Sequence, residues 1–306
     1  MGADETETVA LLALLRAGVK GLTWFDIAAE VSLRGTAVTL WDELVGDKDR
    51  GLFGDTESEE ILASARRDLQ GWQSVDFRLV TVLDDEYPTA LRTIHQMPPF
   101  LFVRGSIEPD ERAVSVVGSR KASDLGLAIA GHVARGLVDR GIAVLSGLAA
   151  GIDAAAHSAT LEAGGRPVGV IGTGITGSYP ASNRSLQQQV AVHGAVMSQF
   201  WPDAPPRPAH FPMRNATMSG LGIATVVVEA GEKSGARIQA RVAVEHGRPV
   251  ILTDLVVQAN DWAQALLHRP GVYQADSTAR ILELVDDIAR DAPSLIDFNV
   301  RELLAL

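Results

Sequence analysis

Nine short apolar runs alternate with stretches of helical periodicity between residues 77 and 276, and this alternation constrains the fold more than any other feature of the chain. The runs are FRLVTVL (77–83), FLFV (100–103), AVSVVG (113–118), IAVLSG (142–147), PVGVIG (167–172), AVMSQF (195–200), IATVVVEA (223–230), RPVILT (248–253) and VYQAD (272–276). Most are apolar at successive positions, as expected of strands covered on both faces. The segments between them, 123–140 and 153–163 included, place apolar side chains at helical spacing. Strands and helices in this order require right-handed crossovers. They predict an α/β fold, a doubly wound, mainly parallel Rossmann-like sheet.

Residues 8–70 have a different texture. Val9, Leu12, Leu15, Leu40, Leu44, Ile61, Ala65 and Leu69 carry helical periodicity, and Gly18, Gly21, Gly35, Gly46 and Gly54 cut the segment into short helices. The expected organisation is a small all-helical module over 1–74, of the SAM or helix-hairpin-helix kind. An extended Rossmann-like domain over 75–291 and a short tail over 292–306 follow. STARILELVDDIAR (277–290) reads as a closing helix capped by Ser277.

With 306 residues, 46% of them hydrophobic and 21% charged, the chain suits one large α/β domain with a small accessory module. No window approaches a membrane span, the acidic start MGADETETVA lacks the basic region of a secretory signal, and a cytoplasmic protein is expected. The absence of cysteine excludes disulfides, thiolate nucleophiles and cysteine-type zinc sites. A net charge of −11 argues against a nucleic-acid partner until its distribution is examined. Residues 1–80 hold fifteen acidic and eight basic side chains and residues 275–306 hold seven and three, so 81–274 is balanced at sixteen of each. Within 204–250, Arg207, Arg214, Lys233, Arg237, Arg241 and Arg248 face only Glu229, Glu232 and Glu245. A local basic cleft on an acidic protein is compatible with nucleic acid, because counterion release depends on the phosphates contacted.

Six glycine- or proline-marked segments follow the apolar runs: VGSRKAS (117–123), SGLAAGID (146–153), GTGITGSYP (172–180), FPMRN (211–215), VEAGEKSGA (228–236) and ILTD (251–254). In open α/β sheets such loops gather outside the carboxyl ends of the strands, where ligands bind. Gly118, Ser119, Arg120 and Lys121 offer close backbone approach, a hydroxyl and two cations ahead of a helix capped by Ser123. Phe211, Arg214 and Asn215 set a ring, a guanidinium fork and an amide side by side. Ser146 and Gly147 precede a helix whose expected cap is Asp153, and Ser234 and Gly235 open another, where Arg237 and Arg241 share a face. These helix starts are candidate phosphate or backbone contacts.

Each feature also has a purely structural explanation. Gly172, Gly174 and Gly177 fit GxGxxG, but Gln189 and Val190 stand where a ribose-binding acid belongs. His157 among alanines reads as a packed core histidine, Asp153 as a cap, Tyr179 with Pro180 as a turn, and Glu229 as an ion-pair partner of Arg237 or Arg214. No Walker A sequence is present, and no His or carboxylate set has metal-ligand spacing. No catalytic residue, metal or cofactor is assigned.

Taken together, VGSRKAS, LSGLAAGIDAAAH, GVIGTGITGSYPASN, FPMRN and VVVEAGEKSGA occur in the order and spacing of the DNA-processing protein A family, also called Smf, which the chain resembles from Tyr87 and Pro88 to Arg248. The resemblance implies a Rossmann-like protein that binds single-stranded DNA without sequence preference. It also implies a homodimer that protects incoming strands in natural transformation and helps load the RecA recombinase. The residues matching the family's DNA pocket are Gly118, Ser119, Arg120, Phe211, Arg214 and Asn215, with Lys121 adjacent. Physical chemistry supports those roles, since a ring stacks any base and arginine grips phosphate bidentately. Ala216 replaces a second arginine common in the family, Leu252, Thr253 and Asp254 replace a proline-glycine turn, VVQANDWAQALL diverges, and no C-terminal winged helix is expected. Two alternatives remain open: a sensor of a nucleotide-derived signal, as in phage defence, and a phosphoribohydrolase of the LOG type. Against the second, Ala236 and Gln239 stand where the LOG motif has threonine and glutamate.

Overall fold

The computed structural model of the chain describes residues 4–46 and 55–291. Gly54 and the expected tail over 292–306 lie outside the described residues.

The N-terminal segment forms α1 (Glu5–Ala17), α2 (Trp24–Arg34), α3 (Val38–Trp41), a π turn at Asp42–Gly46, and α4 (Asp55–Trp72). Local chemistry accounts for their starts. Thr23 and Asp26 make a reciprocal capping box, with the Thr23 N–H donating to the Asp26 carboxylate at 2.7 Å and the Asp26 N–H to the Thr23 hydroxyl at 3.2 Å. The Glu7 carboxylate accepts from the Ala37 and Val38 N–H groups at 2.5 and 3.1 Å, anchoring the start of α3 to α1.

From there the chain runs β1 (Arg78–Thr81), β2 (Phe100–Gly105), β3 (Ala113–Gly118), α5 (Asp124–Val138), β4 (Ala143–Ser146), α6 (Ile152–Glu162) and β5 (Pro167–Val170). It continues through α7 (Arg184–His193), β6 (Ala195–Ser198), α8 (His210–Leu221), β7 (Ala224–Glu229), α9 (Gly235–Glu245) and β8 (Val250–Thr253). The last elements are α10 (Asp254–Ala259), α11 (Asp261–Leu266), β9 (Val272–Ala275) and α12 (Thr278–Asp291). Every apolar run named from sequence contains a strand. Ser277 caps α12 as expected, its hydroxyl accepting from the Arg280 N–H at 3.2 Å.

The nine strands form one sheet in the order β1-β2-β6-β5-β4-β3-β7-β8-β9. β1 and β2 are antiparallel to their neighbours, and the other seven strands run parallel. The chain leaves β3 in one direction through β4, β5 and β6, then returns to β7 on the opposite side and proceeds to β8 and β9. The reversal between β3 and β7 is the switch point at which such sheets open a ligand crevice.

Strand parity explains the unbroken apolar runs. On β8, Val250 and Leu252 join one core cluster and Ile251 the other. On β3, Val114 and Val116 face the cluster that contains α5, α6 and α12 residues, whereas Ala113 and Val117 face the opposite one. With both faces covered, no position is left for a polar alternation.

The N-terminal helices share a core cluster with one face of the sheet, and an aromatic group joins them. Trp201, just past β6, lies 5.6 Å from Trp24, 6.1 Å from Trp72 and 5.1 Å from Phe100, with the Arg16 guanidinium 4.9 Å above its ring. Edge-to-face pairing such as Trp72 on Phe102, at 4.8 Å and 85°, adds directional preference to the burial. Trp201→Ala is expected to remove about 3 kcal/mol of packing and to release α1–α4 ahead of the sheet. Amide exchange should then quicken over residues 5–72 while β3 and β7 stay protected, and equal acceleration in both parts would contradict this.

Candidate functional site

At the mouth of the switch point the backbone approaches so closely that side chains are excluded. A Cβ on Gly118 would lie 2.5 Å from Ile152 Cγ1 and 2.7 Å from the Glu229 carbonyl oxygen. The register slips at this position, so that Gly118 pairs with Glu229, and the Ser119 N–H donates to the Glu229 carbonyl at 2.6 Å. Gly151 has φ of 80°, and a Cβ there would meet the Ser119 carbonyl oxygen at 2.2 Å. The Ile152 N–H donates to that same oxygen at 3.2 Å, locking the start of α6 beneath the loop.

Glu229 closes the other side. Its carboxylate accepts from the Ser123 N–H at 3.1 Å and the Ser123 hydroxyl at 2.6 Å. Ser123 in turn caps α5, its hydroxyl accepting from the Gly126 N–H at 3.0 Å. The expected pairing of Glu229 with Arg237 or Arg214 is therefore not formed, because the Ser123 donors occupy its carboxylate. It fixes the loop that carries Arg120 and Lys121, both exposed at the tip.

The FPMRN segment is not a loop after a strand. Residues 211–215 lie in the first turns of α8, which begins at His210, twelve positions past the end of β6. Helical spacing turns Phe211 outward and Arg214 inward. The Phe211 ring has the Arg120 guanidinium 5.3 Å above it and the Tyr179 ring 5.7 Å away at 51°. Arg214 is 6% exposed, and its Nη1 donates to the Val170 carbonyl at 2.8 Å. Gly147 makes room for it, since a Cβ there would sit 1.7 Å from Nη1. Asn215 ties α8 to α9 through its Nδ2, which donates to the Gly235 carbonyl at 3.4 Å.

Asp153 is not the cap of α6. The helix starts at Ile152 after Gly151 with no side-chain cap, and the Asp153 carboxylate turns back to accept from the Gly147 N–H at 3.0 Å. Burial raises its pKa, opposed by the Arg214 charge and by hydrogen bonds from the Gly147 and Ala149 N–H groups. Burial also lowers the pKa of Arg214, with Asp153 opposing.

These elements border a cavity of about 620 Å³, within the range of small-molecule sites. Gly118, Ser119, Arg120, Lys121, Phe211, Arg214, Asn215, Ser234 and Gly235, all singled out from sequence, line it. Four cations (Arg120, Lys121, Arg214 and Lys233) stand against one carboxylate, Asp153. The Ser234 hydroxyl caps α9, accepting from the Ala236 N–H at 3.2 Å, so this helix start faces the cavity with its positive end. A smaller recess of about 90 Å³ lies beyond Phe211, bordered by Arg120, Gly147, Gly172, Tyr179, Pro180 and Arg214 among others.

The remaining nominated residues lie elsewhere. The Ser146 hydroxyl is buried and donates to the Val116 carbonyl at 2.6 Å. Arg237 pairs with Glu232 at 3.8 Å and Arg241 with Glu245 at 3.4 Å, and neither borders the cavity. Arg248 donates to Thr93 Oγ1 at 2.8 Å, supporting the chain behind the sheet. Lys233, counted in the basic cleft, and Gln239 and Tyr179 border the two hollows without having been assigned as contacts from sequence. Gln239 follows Gly235 by one helical turn, a spacing that sets both on one side of α9.

A profile of the family described as DNA recombination-mediator protein A matches residues 78–289. The chain is 34% identical over 231 residues to the DNA processing protein DprA of Bacillus subtilis, covering 75% of this chain and 77% of that one. It is 38% identical over 209 residues to Protein Smf of Synechocystis, covering 65% of this chain but 52% of the relative. Among solved structures, DprA of Streptococcus pneumoniae superposes with a TM-score of 0.69 at 29% identity, over 92% of this chain and 98% of that one. DprA of Helicobacter pylori, studied for its single-stranded DNA binding mode, has the same fold at a TM-score of 0.62 and 21% identity, over 70% of this chain and 98% of that one. Among the described residues, no helix is long and apolar enough to cross a membrane and no group of three His, Cys, Asp or Glu side chains is placed to hold a metal.

Two outcomes follow from the buried groups. Arg214→Ala removes the buried hydrogen bond to the Val170 carbonyl and leaves a void, and should cost about 2–4 kcal/mol of stability, whereas Arg120→Ala at the exposed tip should stay within about 0.5 kcal/mol, as chemical denaturation would report. Equal stabilities would show that the Arg214 charge is not needed inside. His157 is enclosed in α6, and burial lowers its pKa from 6.5 to about 4 against the pull of the Ser146 backbone. The unfolded chain thus binds more protons between these values. Stability is complete above about pH 6.5 and declines as pH falls toward 4, by at most about 1.4 kcal/mol per unit from this group. Thermal midpoints measured across that window should show a shallower decline for His157→Gln than for the parent.

Proposed function

Because the chain belongs to the DNA recombination-mediator protein A family, we propose that its switch-point cavity binds single-stranded DNA without regard to sequence, in the service of recombination or transformation. The observation that carries this reading is a cavity with four cations against one carboxylate, beside two aromatic rings, on a chain of net charge −11. A positive hollow on an acidic protein selects for phosphate locally while the surrounding field repels nonspecific polyanions. Exposed Arg120, Lys121 and Lys233, with the start of α9, would hold phosphates. Phe211 and Tyr179 would stack successive bases on either side of the Arg120 and Phe211 pair, and a π face accepts every base.

The H. pylori relative, studied for its single-stranded DNA binding mode, supports an unpaired strand as ligand. Gly118, Ser119, Arg120, Lys121, Phe211, Arg214 and Asn215 are the contacts we assign to it, with Arg214 shaping the floor more than reaching out. Division of the chain into a helical module and a Rossmann-like domain, a homodimer, and delivery of the strand to a RecA-type recombinase complete the proposal, and the last two rest on the family alone. Hydrolysis of the LOG type is disfavoured by Gln239, since the one carboxylate bordering the cavity, Asp153, is tied to the Gly147 N–H.

Fluorescence anisotropy with oligo-dT and with a duplex of equal length tests the reading. The single strand should bind more tightly and with a strong salt dependence. Arg120→Ala and Lys233→Ala should each flatten the salt slope by about 0.7, the increment for one phosphate on a single strand. Tyr179→Ala should cost about 1–3 kcal/mol. A parent that prefers the duplex, or that takes up only mononucleotides in calorimetry, would overturn the assignment.

A further inference from the structure

Gln239 is 1% exposed and borders the main cavity, and neither its Oε1 nor its Nε2 has a hydrogen-bond partner in the protein. The Nε of Arg214, on the same cavity, is also unpartnered. Buried polar atoms without partners destabilise a fold, and a native chain retains them where a ligand supplies the missing bonds. Two such groups on one cavity mark the floor as a place for a planar, hydrogen-bonding ligand. Lys233 and the start of α9 provide for phosphate at the rim, and Gln239 lies one turn deeper on the same helix.

We propose that the Gln239 carboxamide pairs with the Watson–Crick edge of the base that enters this cavity, and that this makes the site selective for unpaired bases. The inference rests on the single-strand reading given above. A carboxamide presents one acceptor beside one donor. Each base presents the complementary pair on its Watson–Crick edge: N6–H and N1 of adenine, N3–H and O4 of thymine, N4–H and N3 of cytosine, N1–H and O6 of guanine. The terminal torsion of glutamine is soft and roughly two-fold, so turning the amide over exchanges donor and acceptor at little cost. One residue therefore satisfies all four bases and rejects any whose edge is already engaged in a duplex. Stacking alone explains tolerance of sequence, while an edge reader adds rejection of paired bases without adding a sequence preference.

The test compares oligo-dT with an oligomer of the same length built from N3-methylthymidine, which keeps the ring, sugar and phosphates but blocks the edge. The parent should bind the methylated strand about tenfold more weakly. Gln239→Met, similar in length and without donor or acceptor, should bind both strands equally, near the weaker affinity. Its preference for single strand over duplex should fall by a similar factor. Its thermal midpoint should match or exceed the parent's, because no protein hydrogen bond is lost, whereas a structural glutamine would lower it. A parent that binds both strands alike, or a Gln239→Met variant that still discriminates between them, overturns the inference and leaves single-strand binding standing. A parent that fails to bind oligo-dT at all removes both.

Discussion

The Glu229 carboxylate is the hinge on which the site is built. It leaves the end of β7, crosses the switch point and accepts both the N–H and the hydroxyl of Ser123, while its backbone carbonyl accepts from Ser119. The loop carrying Arg120 and Lys121 is thereby fastened at both ends to a neighbouring strand. Gly126 permits the contact, since a Cβ there would lie 2.2 Å from Glu229 Oε2. A carboxylate that accepts hydrogen bonds at a helix start also complements the dipole of α5. The carboxylate is thus held by donors of the loop and of the α5 start instead of by a cation of the crevice.

Arg214 plays the inward counterpart. A guanidinium this deep requires partners, and it has the Val170 carbonyl and the Asp153 charge. The hydrogen bond ties α8 to the end of β5 beside the cavity. The positive charge at the floor is carried by a buried side chain, whereas that at the rim comes from exposed ones. Preorganised charge below and adaptable charge above suit a ligand with regular phosphates and variable bases.

Much of this was legible from the chain alone. The nine strands were visible because both faces of the sheet are covered, so apolar runs are continuous at, for example, Val250, Ile251 and Leu252. The glycine-flanked loops were visible because Gly118 and Gly151 stand where backbones touch. Other features lay in three-dimensional pairings that spacing does not encode. The basic tally over 204–250 anticipated one cleft, yet Arg237, Arg241 and Arg248 are engaged elsewhere, and the cations that line the cavity come from three separate segments. Asp153 has the residue type and position of a cap, but the tight turn at Gly151 starts the helix two residues earlier and sends its carboxylate inward. FPMRN contains a proline that suggests a loop, although proline in the first turn of a helix removes only a donor that would be unpaired there anyway. Tyr179 reads as a turn residue until folding brings its ring to Phe211.

The two recesses on either side of Phe211 follow from that last pairing. Arg120, Ala149, Phe211 and Arg214 border both, so the ring and its covering guanidinium form the partition between them. On the proposed reading, consecutive bases of an extended strand would lie against opposite sides of this partition, with the connecting phosphate beside Arg120. Stacked bases in a duplex leave no gap for such a wedge. Geometry at the partition and hydrogen-bonding capacity at the floor would then act on different attributes of the same ligand, the first on its unstacked backbone and the second on its unpaired edge.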